Sequence, residues 1–219
     1  SIALLLGVPA VRALALPSSA ALRSAVTSDG AALLFDRPDL GLVELTGADR
    51  LRFANAQSTN GVQGLGKGKR CADAPTDPRA LRRLIIPPTP DARSMETCVT
   101  TNTARVRDLV TCARVDDTLA LVCSADRAPK LAKTFDMYIF PADDVAVADR
   151  SAEMSALSLV GLGAASALGA SALLGADVPT PEDGRAQPLP DGRGFALAGA
   201  GLAAPGITLL VPLDDLPAA

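Results

Sequence analysis

The chain has 219 residues, 48% of them apolar, with a formal net charge of -3 and an isoelectric point near 5.0. That is enough apolar sequence for one large domain or two small ones, and the acidic balance lacks the basic footprint of a nucleic-acid binder. There is no histidine, which removes the usual general base, the commonest zinc ligand and every Ser-His or Cys-His nucleophile, and with them most hydrolase chemistry.

In chain order, "SIALLLGVPAVRALALPSSAALRSAV" comes first, an apolar run broken by Pro9 and Arg12 and followed by Ala- and Ser-rich sequence without acids. Residues 1–30 therefore read as an N-terminal extension, the remnant of an organelle-targeting segment rather than a membrane span, and a start at Ser1 suits a processed import product. "GLVELTG" (41–47) predicts a strand, and Thr46 with Asp49 forms a capping-box-like start for a helix through "ADRLRFANAQS". The glycines of "GVQGLGKGK" follow no strand and end in no Lys-Ser or Lys-Thr, so a P-loop is excluded and a tight loop is expected.

A long irregular segment, 67–97, comes next. It carries seven Lys or Arg against four acids, and three prolines in "IIPPTP". Loops of this length are functional or disordered more often than not. If the protein has a partner, this basic loop is expected to carry much of the contact. "ARVRDLVTCARV" (104–115) and "TLALVCS" (118–124) flank Asp116 and Asp117 as a hairpin with a two-residue connection. Alternation places Val106, Asp108, Val110 and Cys112 on one face, with Cys112 opposite Leu121. Asp108 then has two readings: a carboxylate at the sheet margin bonded to a backbone amide or an arginine, or an acid facing a ligand cavity.

Pro129 fits the first turn of a helix "APKLAKTFDMYI", with Leu131, Phe135 and Tyr138 on one face. "DDVAVAD" (143–149) closes the unit. The order β-α-β-β-α-β is that of a ferredoxin-like split β-α-β domain over 31–150. Residues 151–219 begin the theme again without completing it. "SALSLVG" is a strand, "AASALGASALLG" a helix, "DVPTPEDGRAQPLPDGRG" a surface loop, and "GFALAGA" and "GITLLVP" are strands, making an incomplete β-α-β-β unit. The uncharged stretch 154–176 is rich in Ala, Gly and Ser and reads as strand, turn and helix, not as a transmembrane span. The fold class is thus α+β. The cysteines, Cys71, Cys98, Cys112 and Cys123, are too widely spaced for a metal clip, so no metal site is expected, and Cys71 with Cys98 could pair only in an oxidising compartment.

The ordered motifs "LVELTGADRLRFANAQSTNGV", "TTNTARVRDLVTCARVDDTLALVC", "LAKTFDMYIFPADDVAVADRS" and "LSLVGLGAASALGASALLG" resemble the folate-binding aminomethyltransferase superfamily, which includes the glycine-cleavage T-protein. Through "QSTN" and "DMYIFPADDVAVAD" the chain is most similar to the folate-binding proteins of iron–sulfur cluster maturation. The resemblance covers most of residues 31–212. It implies a tetrahydrofolate pocket at a domain junction, with Asp108 as the acid that contacts folate and Gln57, Thr59 and Asn60 at the helix end beside it. Two departures bear on activity. Ala104 stands where the family has glycine before the hairpin, and no downstream "KGCYxGQE"-like segment follows in this chain. With histidine also absent, the expected role is non-catalytic: an accessory or scaffold subunit of a larger organellar complex, in a chloroplast rather than a mitochondrion and for example at a plastid membrane, binding protein partners but neither nucleic acid nor cofactor. The alternative is a tetrahydrofolate-binding factor in iron–sulfur cluster assembly or one-carbon transfer.

Overall fold

The computed structural model of the protein describes residues 32–65, 94–164, 186–189, 194–199 and 206–215. Its strands are β1 (Leu33–Asp36), β2 (Leu40–Thr46), β3 (Ser94–Thr100), β4 (Val106–Val115), β5 (Thr118–Ser124), β6 (Ala146–Asp149), β7 (Met154–Val160), β8 (Ala186–Pro188), β9 (Phe195–Ala198) and β10 (Gly206–Pro212). Two α-helices, α1 (Arg50–Gln57) and α2 (Ala128–Tyr138), lie among them. The fold is α+β, with two antiparallel five-stranded sheets in the orders β3-β4-β5-β2-β6 and β1-β7-β10-β9-β8.

Period-2 alternation decides which face each strand buries. In β2, Val43 and Leu45 point to one side with Leu119, Leu121 and Cys123 of β5 and Val110 and Cys112 of β4. The two helices cover that side through Phe53, Ala54, Ala128, Leu131 and Phe135. Leu42, Ala113, Ala120 and Val122 point the other way, onto Ala156, Phe195, Leu197 and Leu210 of the second sheet. The first sheet is therefore buried on both faces. That explains why β5 reads as a near-continuous apolar run.

The chain passes between the sheets early, since β1 pairs with β7 while β2 pairs with β5 and β6. Arg37 holds this crossing: its backbone N–H donates to the Ala156 carbonyl at 2.9 Å, and its guanidinium grips Asp39 in a fork at 2.8 and 2.7 Å. The hydrogen-bonded Arg37 side chain lowers the Asp39 carboxyl below its ordinary value. At Gly41 a Cβ would come within 2.8 Å of Ser151 Oγ and 2.9 Å of Ala128 Cβ, so glycine lets the start of α2 approach β2.

Several expectations from the sequence need correction. The Thr46–Asp49 capping box does not form. Asp49 is itself the residue before α1, makes no side-chain cap bond, and accepts instead from Arg52 and from the Asp144 backbone N–H. Those partners lower its carboxyl below the usual range, the Arg52 hydrogen bond first. Tyr138 leaves the buried face of α2 and is exposed, with Met137 and Phe140 beside it. Within the loop expected over 177–194, Ala186–Pro188 is a strand and Leu189 is buried. The end of the basic loop, 94–97, belongs to β3, an edge strand that sequence periodicity did not reveal. The remaining basic residues from Lys67 to Arg93, and the helix expected over 164–175 beyond Ala164, lie outside the described residues. Met154–Val160 is the expected strand and a turn follows it. No helix among the described residues is long and apolar enough to cross a membrane.

Candidate functional site

The hairpin forms where expected, with Cys112 opposite Leu121, and Asp116 at φ 48 turning the corner in the left-handed region that aspartate tolerates. Its far end differs. Regular pairing of β4 with β5 stops at Thr111 and Val122. Beyond that point the Asp108 side chain takes over: the Ser124 backbone N–H donates to Oδ2 at 2.9 Å, the Ser124 hydroxyl to Oδ1 at 2.9 Å, and the Leu109 N–H to Oδ1 at 3.0 Å. A carboxylate here does what a main-chain carbonyl would do further along the ladder. All three donors belong to its own sheet.

The helix-exit fingerprint is tied to the same sheet. Gln57 ends α1 and is half-buried. Thr59 exchanges bonds with β3: its N–H donates to the Cys98 carbonyl at 3.0 Å, and its hydroxyl accepts from the Cys98 N–H at 3.2 Å. Asn60 adds an N–H bond to Thr97 Oγ1 at 3.0 Å and a side-chain bond from Nδ2 to the Glu96 carbonyl at 2.6 Å. Ser58 bridges Val99, and Val99 pairs with Asp108 on its other side. Ser58 and Asp108 thus stand in one row two strands apart, about 10 Å at ordinary sheet spacing. The structure brings Thr59, Asn60 and Asp108 into one neighbourhood, where Thr59 and Asn60 close the open edge of β3.

A bulge alters the faces. Thr100 pairs with Val106 and Val99 with Asp108, so Arg107 is an extra residue in β4. This shift breaks the expected alternation: Val106 is 64% exposed, whereas Val110 and Cys112 are 1% exposed. It also turns Arg107 onto the helix-covered side, where Nη1 donates to Thr134 Oγ1 of α2 at 3.1 Å. Sequence reasoning missed Arg107, Ser124 and Thr134, because a bulge carries no residue signature of its own.

The loop before β4 holds Ala104 at φ 58, a conformation alanine disfavours by about 1–2 kcal/mol. Ala104→Gly is expected to raise unfolding stability by about 0.5–1 kcal/mol, since relief of strain exceeds the extra chain entropy; a urea titration showing a loss would contradict the strain.

The cysteines offer no reactive thiolate in the core. Burial pushes Cys112 up to about 12, and burial followed by the charges of Asp108, Asp149 and Asp126 pushes Cys123 up to about 12. Cys98 is a free, half-buried thiol, against the pairing with Cys71 entertained from sequence; Cys71 lies outside the described residues. Among the three described thiols, Cys98 is expected to alkylate first at pH 8, with Cys112 and Cys123 protected until unfolding. Peptide mapping after brief iodoacetamide treatment checks this, and early labelling of Cys112 would contradict it. No group of three or more metal-ligating side chains occurs among the described residues.

No family model matches the chain, and no curated protein sequence matches it. Among solved structures it is similar to the glycine cleavage system aminomethyltransferase T from Bartonella henselae, with a TM-score of 0.66 and 16% identity over 88% of this chain and 45% of that one. It is also similar to heterotetrameric sarcosine oxidase from Corynebacterium sp. U-96, solved with pyrrole 2-carboxylate, with a TM-score of 0.47 and 17% identity over 89% of this chain and 83% of that one. The first likeness shows a shared fold, and the chain spans less than half the length of that structure.

Proposed function

We propose that the chain is a non-catalytic protein with the aminomethyltransferase T fold, acting as an accessory or scaffold subunit of a larger organellar assembly. The observation that carries this reading is the state of Asp108: its carboxylate is engaged by Ser124 and Leu109 of its own sheet. An acid that closes a hairpin is a poor candidate for moving a proton on a bound ligand. Partner binding is supported by Met137 and Phe140, 74% and 71% exposed at the end of α2, side chains of a kind enriched at protein interfaces. The organellar assignment, chloroplast before mitochondrion, rests on the composition of residues 1–30.

Within this reading a split β-α-β arrangement runs over β2, α1 and β4 with β3 added at the sheet edge, and the position of β5 between β2 and β4, antiparallel to both, supports it. A second reading is a tetrahydrofolate-binding factor in iron–sulfur cluster assembly or one-carbon transfer, and the fold shared with aminomethyltransferase T favours it. Native electrophoresis of an organelle extract, probed for this chain, tests the accessory role. Migration well above the 22.2 kDa of the chain is expected, and a free monomer would count against it.

A further inference from the structure

We propose that Arg107, positioned by Thr134, is the recognition group of an oxyanion site that takes the carboxylate or phosphate of a small molecule. The bulge in β4 is the first reason. Without the extra residue, alternation would aim Arg107 at the opposite face from Asp108; with it, the guanidinium lies against α2. Bulges that re-aim one side chain concentrate beside functional sites.

The second reason is an unbalanced charge. Arg107 is half-buried, and none of the ion pairs among the described residues includes it. Its sequence neighbour Asp108 is turned away to Ser124 and Leu109. A guanidinium partly withdrawn from water is ordinarily matched by a carboxylate or phosphate. Arg50, whose Nε is likewise buried without an acceptor, differs in having Asp117 at 3.8 Å.

The third reason is the direction of the empty donors. Nη1 is committed to Thr134 Oγ1, and Nε is shielded from solvent without an acceptor. Nη2 is therefore the donor left to meet an anion, and no acceptor for it occurs among the described residues. A charge-assisted hydrogen bond from Nη2 to one carboxylate or phosphate oxygen is the contact that follows. Thr134 is fixed in turn, because its hydroxyl donates to the Lys130 carbonyl at 2.8 Å. Lys130 lies one turn earlier on the same face of α2 and is exposed, which adds positive potential where the anion would arrive.

The site rests on Arg107 and Thr134 and not on the accessory role, so failure here leaves the non-catalytic assignment standing. The test is a chemical-shift titration of the 15N-labelled full chain with sodium phosphate and, separately, sodium acetate, at constant ionic strength. Saturating shifts at the amides of Arg107, Asp108 and Thr134 are expected, with dissociation constants on the order of 1 mM for a site built on one arginine; the tighter of the two anions identifies the ligand's head group. Arg107→Gln is expected to weaken binding at least tenfold and Thr134→Val about threefold. Arg105→Gln removes the same charge from an exposed neighbouring position and is expected to change nothing. Non-saturating shifts with both anions would overturn the proposal. So would equal affinity in wild type and in a folded Arg107→Gln or Thr134→Val protein.

Discussion

Replacing Phe135 by alanine is expected to lower the unfolding free energy by about 4 kcal/mol, the upper range for truncating a fully buried aromatic. Phe135 is 1% exposed and meets Phe53 edge-on, with ring centroids 5.7 Å apart at 90°. That pair joins α1 to α2 above the first sheet. Its removal takes away transfer free energy, leaves a cavity in a close-packed layer, and loses about 1 kcal/mol of aromatic geometry. Urea unfolding of the Phe135→Ala, Phe53→Ala and double variants measures both terms. A loss under about 1 kcal/mol for Phe135→Ala would mean that the helices do not pack on the sheet in this way.

Asp108→Ala is expected to cost about 3 kcal/mol at neutral pH. Hydrogen bonds to a charged acceptor contribute about 1.5–3 kcal/mol each in such comparisons, and they are not additive. The Ser124 backbone N–H would lose its acceptor at a half-buried position. Asp108→Asn keeps one acceptor oxygen and is expected to recover about half of the loss. Equal stability of all three proteins would show that the carboxylate is not part of the hairpin.

The sequence revealed most where one physical signal dominated. Strands β5 and β10 and helix α2 were legible because apolar periodicity and Pro129 set them without help from distant contacts. Strand β3 was not, because "SMETCVT" mixes polar and apolar residues and owes its state to pairing with β4 and to the clip formed by Thr59 and Asn60. Strand β8 was hidden for a similar reason. Only three residues long and ending in Pro188, it pairs with β9 on one side, where it buries Ala186. At the candidate site, Asp108 stood out as an acid among apolar neighbours. What it bonds depended on the end of a ladder and on a bulge, both properties of pairing between strands and not of any one segment. Arg107 escaped notice because strict alternation assigned it to the wrong side.

Calorimetric titration of the wild-type chain and of Asp108→Asn with tetrahydrofolate bears most directly on the non-catalytic assignment. The expected result is no saturable heat for either protein, together with a lower unfolding midpoint for Asp108→Asn. Tight saturable binding by the wild type, weakened about tenfold or more in a still-folded Asp108→Asn protein, would contradict it and assign Asp108 to a ligand instead of to the sheet.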